Sequence, residues 1–344
     1  MKKILFIASY VLALFTVWSC SNDQEVLTNA ETPVEPTYNK TLADLEAYNE
    51  VMLGKVSTRV KPGEGVTVKD IRNGLKVAKA DISGASKGIK VGRSIIITVG
   101  ALTGGVHGAS IAAAVCGSVF GAAASLKAYQ KHFGKIRKTR AIPPGIIADS
   151  TFLQISEKMY IDNIAANGTY YAYNVVSEKI EIPKRFEYLK DVGESHNALV
   201  STAIEVGNNE DIDLSLEHFK GLIPPIYITD KELEKLFSND IFKTEYEKLL
   251  QDIDTSTDDN GFNVETFLSL NSDIPYCVKK TLDEYSDLLE SYPTNLDDIV
   301  EITNGYINII EQNNEFTEEE KEMVYSALTV SLYSPQLWCP FVEE

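Results

Sequence analysis

The stretch ADISGASKGIKVGRSIIITVGALTGGVHGASIAAAVCGSVFGAAASL, residues 80–126, decides how this chain is read. It sets Ala80, Gly84, Gly88, Gly92, Gly100, Gly104, Gly108 and Ala112 at a constant four-residue spacing that only Ile96 interrupts. Its second part, residues 94–126, carries no Lys, Arg, Asp or Glu. Glycine inside a helix costs about 1 kcal/mol relative to Ala, so such a run persists only where close packing returns the loss. Small residues every fourth position let a neighbouring helix rest on bare backbone. A four-residue step turns by about 400°, however, so the small face drifts by about 40° per step and one straight helix cannot present all of it. A break is expected at Thr103-Gly104-Gly105-Val106-His107-Gly108. The result is a helical hairpin with arms at residues 91–102 and 109–129.

Two readings of that hairpin stay open. In one it inserts into a bilayer, alone or as an oligomer. In the other it is the close-packed centre of a helical domain. The first arm is well short of the roughly 20 residues that span a bilayer, which favours internal packing. The basic residues around it, Lys87, Lys90, Arg93, Lys127, Lys131, Lys135, Arg137, Lys138 and Arg140, suit anionic headgroups equally well as a solvated face.

Charge along the whole chain frames this choice. The net charge is −18, but residues 1–148 hold 19 Lys+Arg against 10 Asp+Glu, and residues 149–344 hold 13 against 40. The basic end therefore lies near anionic headgroups or against the acidic end, and the acidic end repels nucleic acid.

Upstream, the chain opens with Lys2-Lys3 and an apolar run from Ile4 to Val17, the pattern of a secretion signal over residues 1–19. Val17-Trp18-Ser19-Cys20 resembles the lipobox of bacterial lipoproteins. That resemblance implies lipidation of Cys20 by a diacylglycerol thioether and acyl chains such as palmitate. Each buried methylene is worth about 0.8 kcal/mol, so two or three chains hold a protein to a membrane without a spanning helix. Ser21-Asn22-Asp23-Gln24-Glu25 resembles the acidic export tag of surface lipoproteins of the Bacteroidetes, which implies an outer-membrane, cell-surface location. Residues 20–38, with Pro33 and Pro36, read as the lipid-anchored linker.

The glycine series Gly84-Gly88-Gly92, Gly100-Gly104-Gly108 and Ala113-Gly117-Gly121 resembles the glycine-zipper segment of small surface-antigen lipoproteins of bacterial outer membranes. The resemblance implies helix-to-helix packing and possible self-association through the hairpin, and brings no catalytic residue with it. Gly193-x-x-His196-Asn197-x-Leu199 resembles a segment of uncharacterised Bacteroidetes lipoproteins, again with no function attached.

Elsewhere the periodicity is helical. Leu42, Leu45, Tyr48, Met52 and Leu53 mark a first helix, with Thr41 and Asp44 as its expected cap, and Val68, Ile71, Leu75 and Ala78 lead a helix into the glycine repeat. Ala141-Ile142-Pro143-Pro144-Gly145 is the expected boundary between an N-terminal region, 39–140, and an acidic helical domain, 141–344. In the latter, Phe152, Ile155, Met159 and Ile164 predict a helix, while residues 168–176 are ambiguous between strand and helix. Residues 185–206 read as helix. Thr229-x-x-Glu232 is read as a capping box that opens a helix to about Ile253. Helices follow over 264–270, 276–292 and 296–312. A second capping box, Thr317-x-x-Glu320, starts a last helix that Ser334-Pro335 should end, and the apolar tail from Leu337 to Phe341 should dock on the bundle. The fold class is all-α: a glycine-rich hairpin followed by an acidic multi-helix bundle, with one short strand-like segment.

The chemistry-bearing residues do not assemble into a known site. The four His, at 107, 132, 196 and 218, lack metal-binding helical spacing, and adjacent Ser195 and His196 cannot serve each other as nucleophile and base. Ser256-x-Asp258-x-Asn260-Gly261 resembles part of a calcium loop, but Phe267 stands where the bidentate Glu belongs, so an acidic turn is the better reading. With Cys20 lipidated, Cys116 is expected to be buried and free, and Cys277 and Cys339 to form a disulfide. No catalytic residue, metal or cofactor is expected. The chain reads as a lipid-anchored protein with a binding or structural role; the alternative is a membrane-active, pore-forming or toxin-like protein that uses the 94–126 hairpin.

Overall fold

A computed structural model describes residues 38–59, 68–99, 106–134, 180–206, 212–223, 230–291 and 296–338. All of these belong to one compact unit, Tyr38–Glu344. The described elements are almost wholly helical: α1 (Asn39–Arg59), α2 (Val68–Val99), α3 (Val106–Phe133), a 3-10 turn (Lys184–Leu189), α4 (Lys190–Val206), α5 (Leu216–Leu222), α6 (Asp230–Ser238) and α7 (Asp240–Ser256). After them come strands β1 (Thr257–Asp258) and β2 (Gly261–Phe262), then α8 (Val264–Leu270), α9 (Tyr276–Ser291), α10 (Leu296–Asn313) and α11 (Glu318–Trp338).

The glycine-rich hairpin is the centre of the molecule. Helices α2 and α3 pack on each other along their length; α11 lies along α2, and α4 fills the angle between α3 and α11. On the other side α7 rests on both hairpin helices, while α9 and α10 carry α1. Helix α2 begins at Val68, where the helix leading into the glycine repeat was expected, and α3 runs to Phe133, four residues past the expected end of its arm. The small residues thus sit in the middle of each helix, and residues 100–105 between them lie outside the described residues. The expected boundary at 141–145 also lies outside them; the described helices on its two sides contribute to one apolar core.

Side-chain chemistry explains where several elements start. The second capping box forms: Thr317 donates its N–H and hydroxyl to Glu320 Oε2 at 2.7 and 2.9 Å, and its hydroxyl accepts from the Glu320 N–H at 3.2 Å. The helix expected from residue 229 to Ile253 is instead two. Asn239 Oδ1 accepts from the N–H groups of Ile241 and Phe242 at 2.9 and 3.1 Å, which starts α7 afresh. Thr41 is not paired with Asp44. Its N–H and hydroxyl donate to Glu315 Oε2 at 2.8 and 2.6 Å, so a carboxylate from the α10–α11 turn caps α1, while Asp44 accepts from Asn313. The segment 256–261 folds as a tight hairpin, with Thr257 opposite Phe262, Asp258 Oδ1 accepting from the Asn260 N–H and Gly261 at φ 110°. Phe267 is fully buried in the core.

Helix α11 continues past Ser334-Pro335 to Trp338. Proline removes one N–H from the ladder, a loss offset here by side-chain bonds that hold the last turn. Ser334 donates to Asp81, and the Trp338 indole N–H reaches Ser125 Oγ at 2.9 Å and Asp81 Oδ2 at 3.3 Å. Trp338 also stacks on Tyr129, with centroids 4.9 Å apart, and it and Leu337 are buried. The expected helix over 152–164, the ambiguous segment 168–176 and the linker lie outside the described residues.

Candidate functional site

Three features of the hairpin set what this body can do: the glycine seam, the charged girdle around it and a polar cluster at its seat. The seam is tight. A Cβ on Gly84 would lie 2.7 Å from both Phe120 O and Ala124 Cβ, one on Gly88 2.7 Å from the Cys116 carbonyl carbon, and one on Gly92 2.7 Å from Ala113 Cα. These three glycines of α2 therefore face the backbone of α3 within the same chain. Gly117 and Gly121 of α3 look between α2 and α4: they meet Ile89, and Asp81 and Ala85, on one side, and Val192 and His196 on the other. Gly100 and Gly104 lie outside the described residues, and Gly108 falls in the first turn of α3. Cys116 sits in the seam, fully buried and free, and burial pushes its thiol far above the ordinary range.

The girdle is formed by cations of the hairpin and carboxylates of the acidic helices. Lys87 Nζ, in a residue only 1% exposed, lies 2.8 Å from Glu245 Oε2 and 2.8 Å from Asp273 Oδ2. Lys90 also reaches Asp273, Arg93 pairs with Glu322, and Lys79 with Glu290. From α3, Lys127 and Lys131 share Asp254 at 3.2 and 3.5 Å. Burial raises the Asp273 carboxyl, but the hydrogen bond and charge of Lys87, with Lys90 behind it, bring it below the usual carboxylate range. Of the two placements open to the basic end, the described residues adopt the one against the acidic helices. Lys135, Arg137, Lys138 and Arg140 lie outside them.

The polar cluster lies where α2, α3, α4 and α11 meet. Asp81, Ser125, His196, Asn197, Ser334 and Trp338 are all 0% exposed. Asp81 Oδ2 receives Ser334 and Trp338, and His196 Nε2 lies 3.5 Å from the same oxygen. Asn197 Nδ2 donates to the Tyr333 carbonyl at 2.8 Å, and its Oδ1 faces His196 Nδ1 at 2.9 Å. Gly193 makes the fit possible, because any Cβ there would strike the Tyr333 ring and come within 2.9 Å of Thr329 O. The Gly193-x-x-His196-Asn197 segment is thus the face of α4 that accepts α11. A serine, a histidine and an aspartate are together here, but the serine hydroxyl bonds the carboxylate rather than the imidazole, and the group is sealed from solvent. It holds helices together.

Other singled-out residues serve the fold. Cys277 is a free, buried thiol beside Tyr38 and Glu320; Cys339, its expected disulfide partner, lies outside the described residues. Packing of α9 against α1 places that thiol in the core. His132 Nδ1 lies 3.0 Å from the Asp258 carbonyl, and His218 packs by Phe219. Cys20 lies outside the described residues. No cluster of three His, Cys, Asp or Glu residues able to hold a metal ion occurs among the described residues. Beyond the Glu320 cap, sequence reading gave Glu318-Glu319-Glu320-Lys321-Glu322 no role, yet Glu318 pairs with Arg185, Glu320 accepts from Tyr38, Lys321 pairs with Glu311 and Glu322 with Arg93. No family model, curated protein or solved structure matches the chain.

Proposed function

We propose that this chain is a lipoprotein of the outer membrane, anchored through Cys20 and displayed at the cell surface, with a non-enzymatic binding or structural role. The observation that carries the reading is the burial of the hairpin: α3 is enclosed by α2, α4 and α7, and Lys87, Arg93 and Lys127 pair with carboxylates of the body. A body closed in this way contacts its surroundings through its acidic exterior, and the membrane through its lipid. Val17-Trp18-Ser19-Cys20 supports the anchor. Metabolic labelling with a palmitate analogue tests it: the wild-type chain incorporates label and sediments with membranes, and Cys20→Ser loses both. Retention of label by Cys20→Ser contradicts the anchor, and whole-cell protease shaving that leaves the chain intact contradicts surface display.

A second reading, a membrane-active protein, is favoured by one observation. Residues Ala112–Phe133 are long and apolar enough to cross a membrane by length and composition, with mean hydropathy 1.2 over the best window. That same window is 94% buried in the body, which favours a core helix. Dye-loaded vesicles of anionic lipid separate the two readings. They stay sealed with the unlipidated protein on the first and leak on the second.

A further inference from the structure

The polar cluster at the seat of the hairpin contains a proton that hydrogen-bond logic requires. The main-chain carbonyl of Tyr333 can only accept, so the Asn197 atom 2.8 Å from it is the amide nitrogen. The other end of that carboxamide, Oδ1, is then the atom 2.9 Å from His196 Nδ1. A carboxamide oxygen also only accepts, so Nδ1 carries a hydrogen. In a neutral imidazole this leaves Nε2 as a bare acceptor, and it points at another acceptor, Asp81 Oδ2, 3.5 Å away. Among the described residues no other donor reaches Nε2, and Asp81 Oδ1 has none either. Both side chains are 0% exposed, so water does not relieve the contact. Two acceptors facing each other in a dry core are costly, and one proton between them turns the clash into a hydrogen bond or ion pair.

We propose that Asp81 and His196 share one proton in the folded protein and so form a pH-sensitive lock between the hairpin, α4 and α11. The other groups on the packed elements do not compete for this role. Facing the pair are Ser125 of α3, Asn197 of α4, and Ser334 and Trp338 of α11. On α2 and α3, Lys79 is engaged with Glu290, Lys87 and Lys90 with Asp273, Lys87 also with Glu245, Arg93 with Glu322, Lys127 and Lys131 with Asp254, and Lys76 lies against Gly261. On α11, Glu320, Lys321 and Glu322 bond at the far, N-terminal end, and Tyr325 with them. On α4, Asp191 is exposed and Glu194 only half-buried. Tyr129 stacks on Trp338, and Tyr333 lies against Gly193.

In the unfolded chain the two groups part. Above about pH 6.5 Asp is ionised and His neutral in water, so folding takes up one proton and unfolding releases it. Stability therefore falls as pH rises above that value, and the unfolding constant gains up to about tenfold per pH unit from this pair. Asp81→Asn keeps the shape and removes the shared proton. Urea unfolding of the full chain and of Asp81→Asn from pH 7 to 9 should show the wild type losing stability faster, with a gap that widens by up to about tenfold per unit. Parallel curves overturn the proposal. Should Asp81→Asn fail to fold, NMR of the His196 ring nitrogens in the wild type at pH 7.5 decides. A protonated or hydrogen-bonded Nε2 supports the lock, and an Nε2 with the shift of an unbonded lone pair overturns it.

Discussion

At the scale of the residue, the same substitution at two helical glycines should have opposite signs. Gly88 touches the α3 backbone, so Gly88→Ala forces the hairpin apart and should cost about 1–3 kcal/mol, more than the roughly 1 kcal/mol that alanine adds to helix formation. Gly54, in α1, has nothing within 4 Å of its missing Cβ, and Gly54→Ala should stabilise by about 0.5–1 kcal/mol. Thermal or urea unfolding of the pair checks both signs. Glu194 gives a pH signature of a different kind. Burial, with the charge of Asp191 added, pushes its carboxyl from the ordinary range up to about 7. The folded state then holds a proton that the unfolded state has lost, so this residue lowers stability progressively as pH rises from about 4.5 to 7. Glu194→Gln should match the wild type at pH 4 and exceed it at pH 8, as followed by unfolding midpoints. The glycine positions were legible in the sequence because their spacing is local. The Asp81–His196 contact was not, because its members lie 115 residues apart and only the His196-Asn197 pair hinted at it.

At the scale of the element, charge does two jobs that composition cannot distinguish. Lys87 and Lys131 both flank the apolar stretch, yet one is sealed between two carboxylates and the other has a side chain 43% exposed. Lys87→Ala leaves Glu245 and Asp273 facing each other and should cost about 3 kcal/mol, the low end for a broken buried pair because both carboxylates still reach water. Lys131→Ala should cost under about 1 kcal/mol. Denaturant titration of the two variants at equal ionic strength measures the difference. Similar logic explains which helices were readable. Helices α8, α9 and α10 lie within a residue of their expected limits, since apolar periodicity and capping are written within each segment. The expected helix to Ile253 broke at Asn239 because a capping side chain outweighed continuous periodicity, and α11 outran Pro335 because distant partners hold its end. Glu315 replaced Asp44 as the cap of α1 for the same reason: the better acceptor comes from another part of the chain.

At the scale of the whole molecule, the basic and acidic halves of the sequence are two sides of one charge-paired body. The hairpin supplies an apolar, uncharged middle with cations at its sides, and the later helices supply both the apolar cover and the carboxylates. That mutual need explains why a chain with a sharp charge change near residue 141 packs as one unit. The all-α class was legible from periodicity; the enclosure of the hairpin was not, because close packing and bilayer insertion ask for the same small and apolar residues. The most direct test uses Cys116, which lies in the glycine seam at 0% exposure. Timed labelling of the unlipidated, full-length protein with a maleimide, read peptide by peptide, should leave Cys116 unmodified in buffer and label it only at denaturant concentrations that unfold the whole body, together with Cys277. Rapid modification of Cys116 in buffer, while Cys277 stays protected, would show that the hairpin is not the core of this protein.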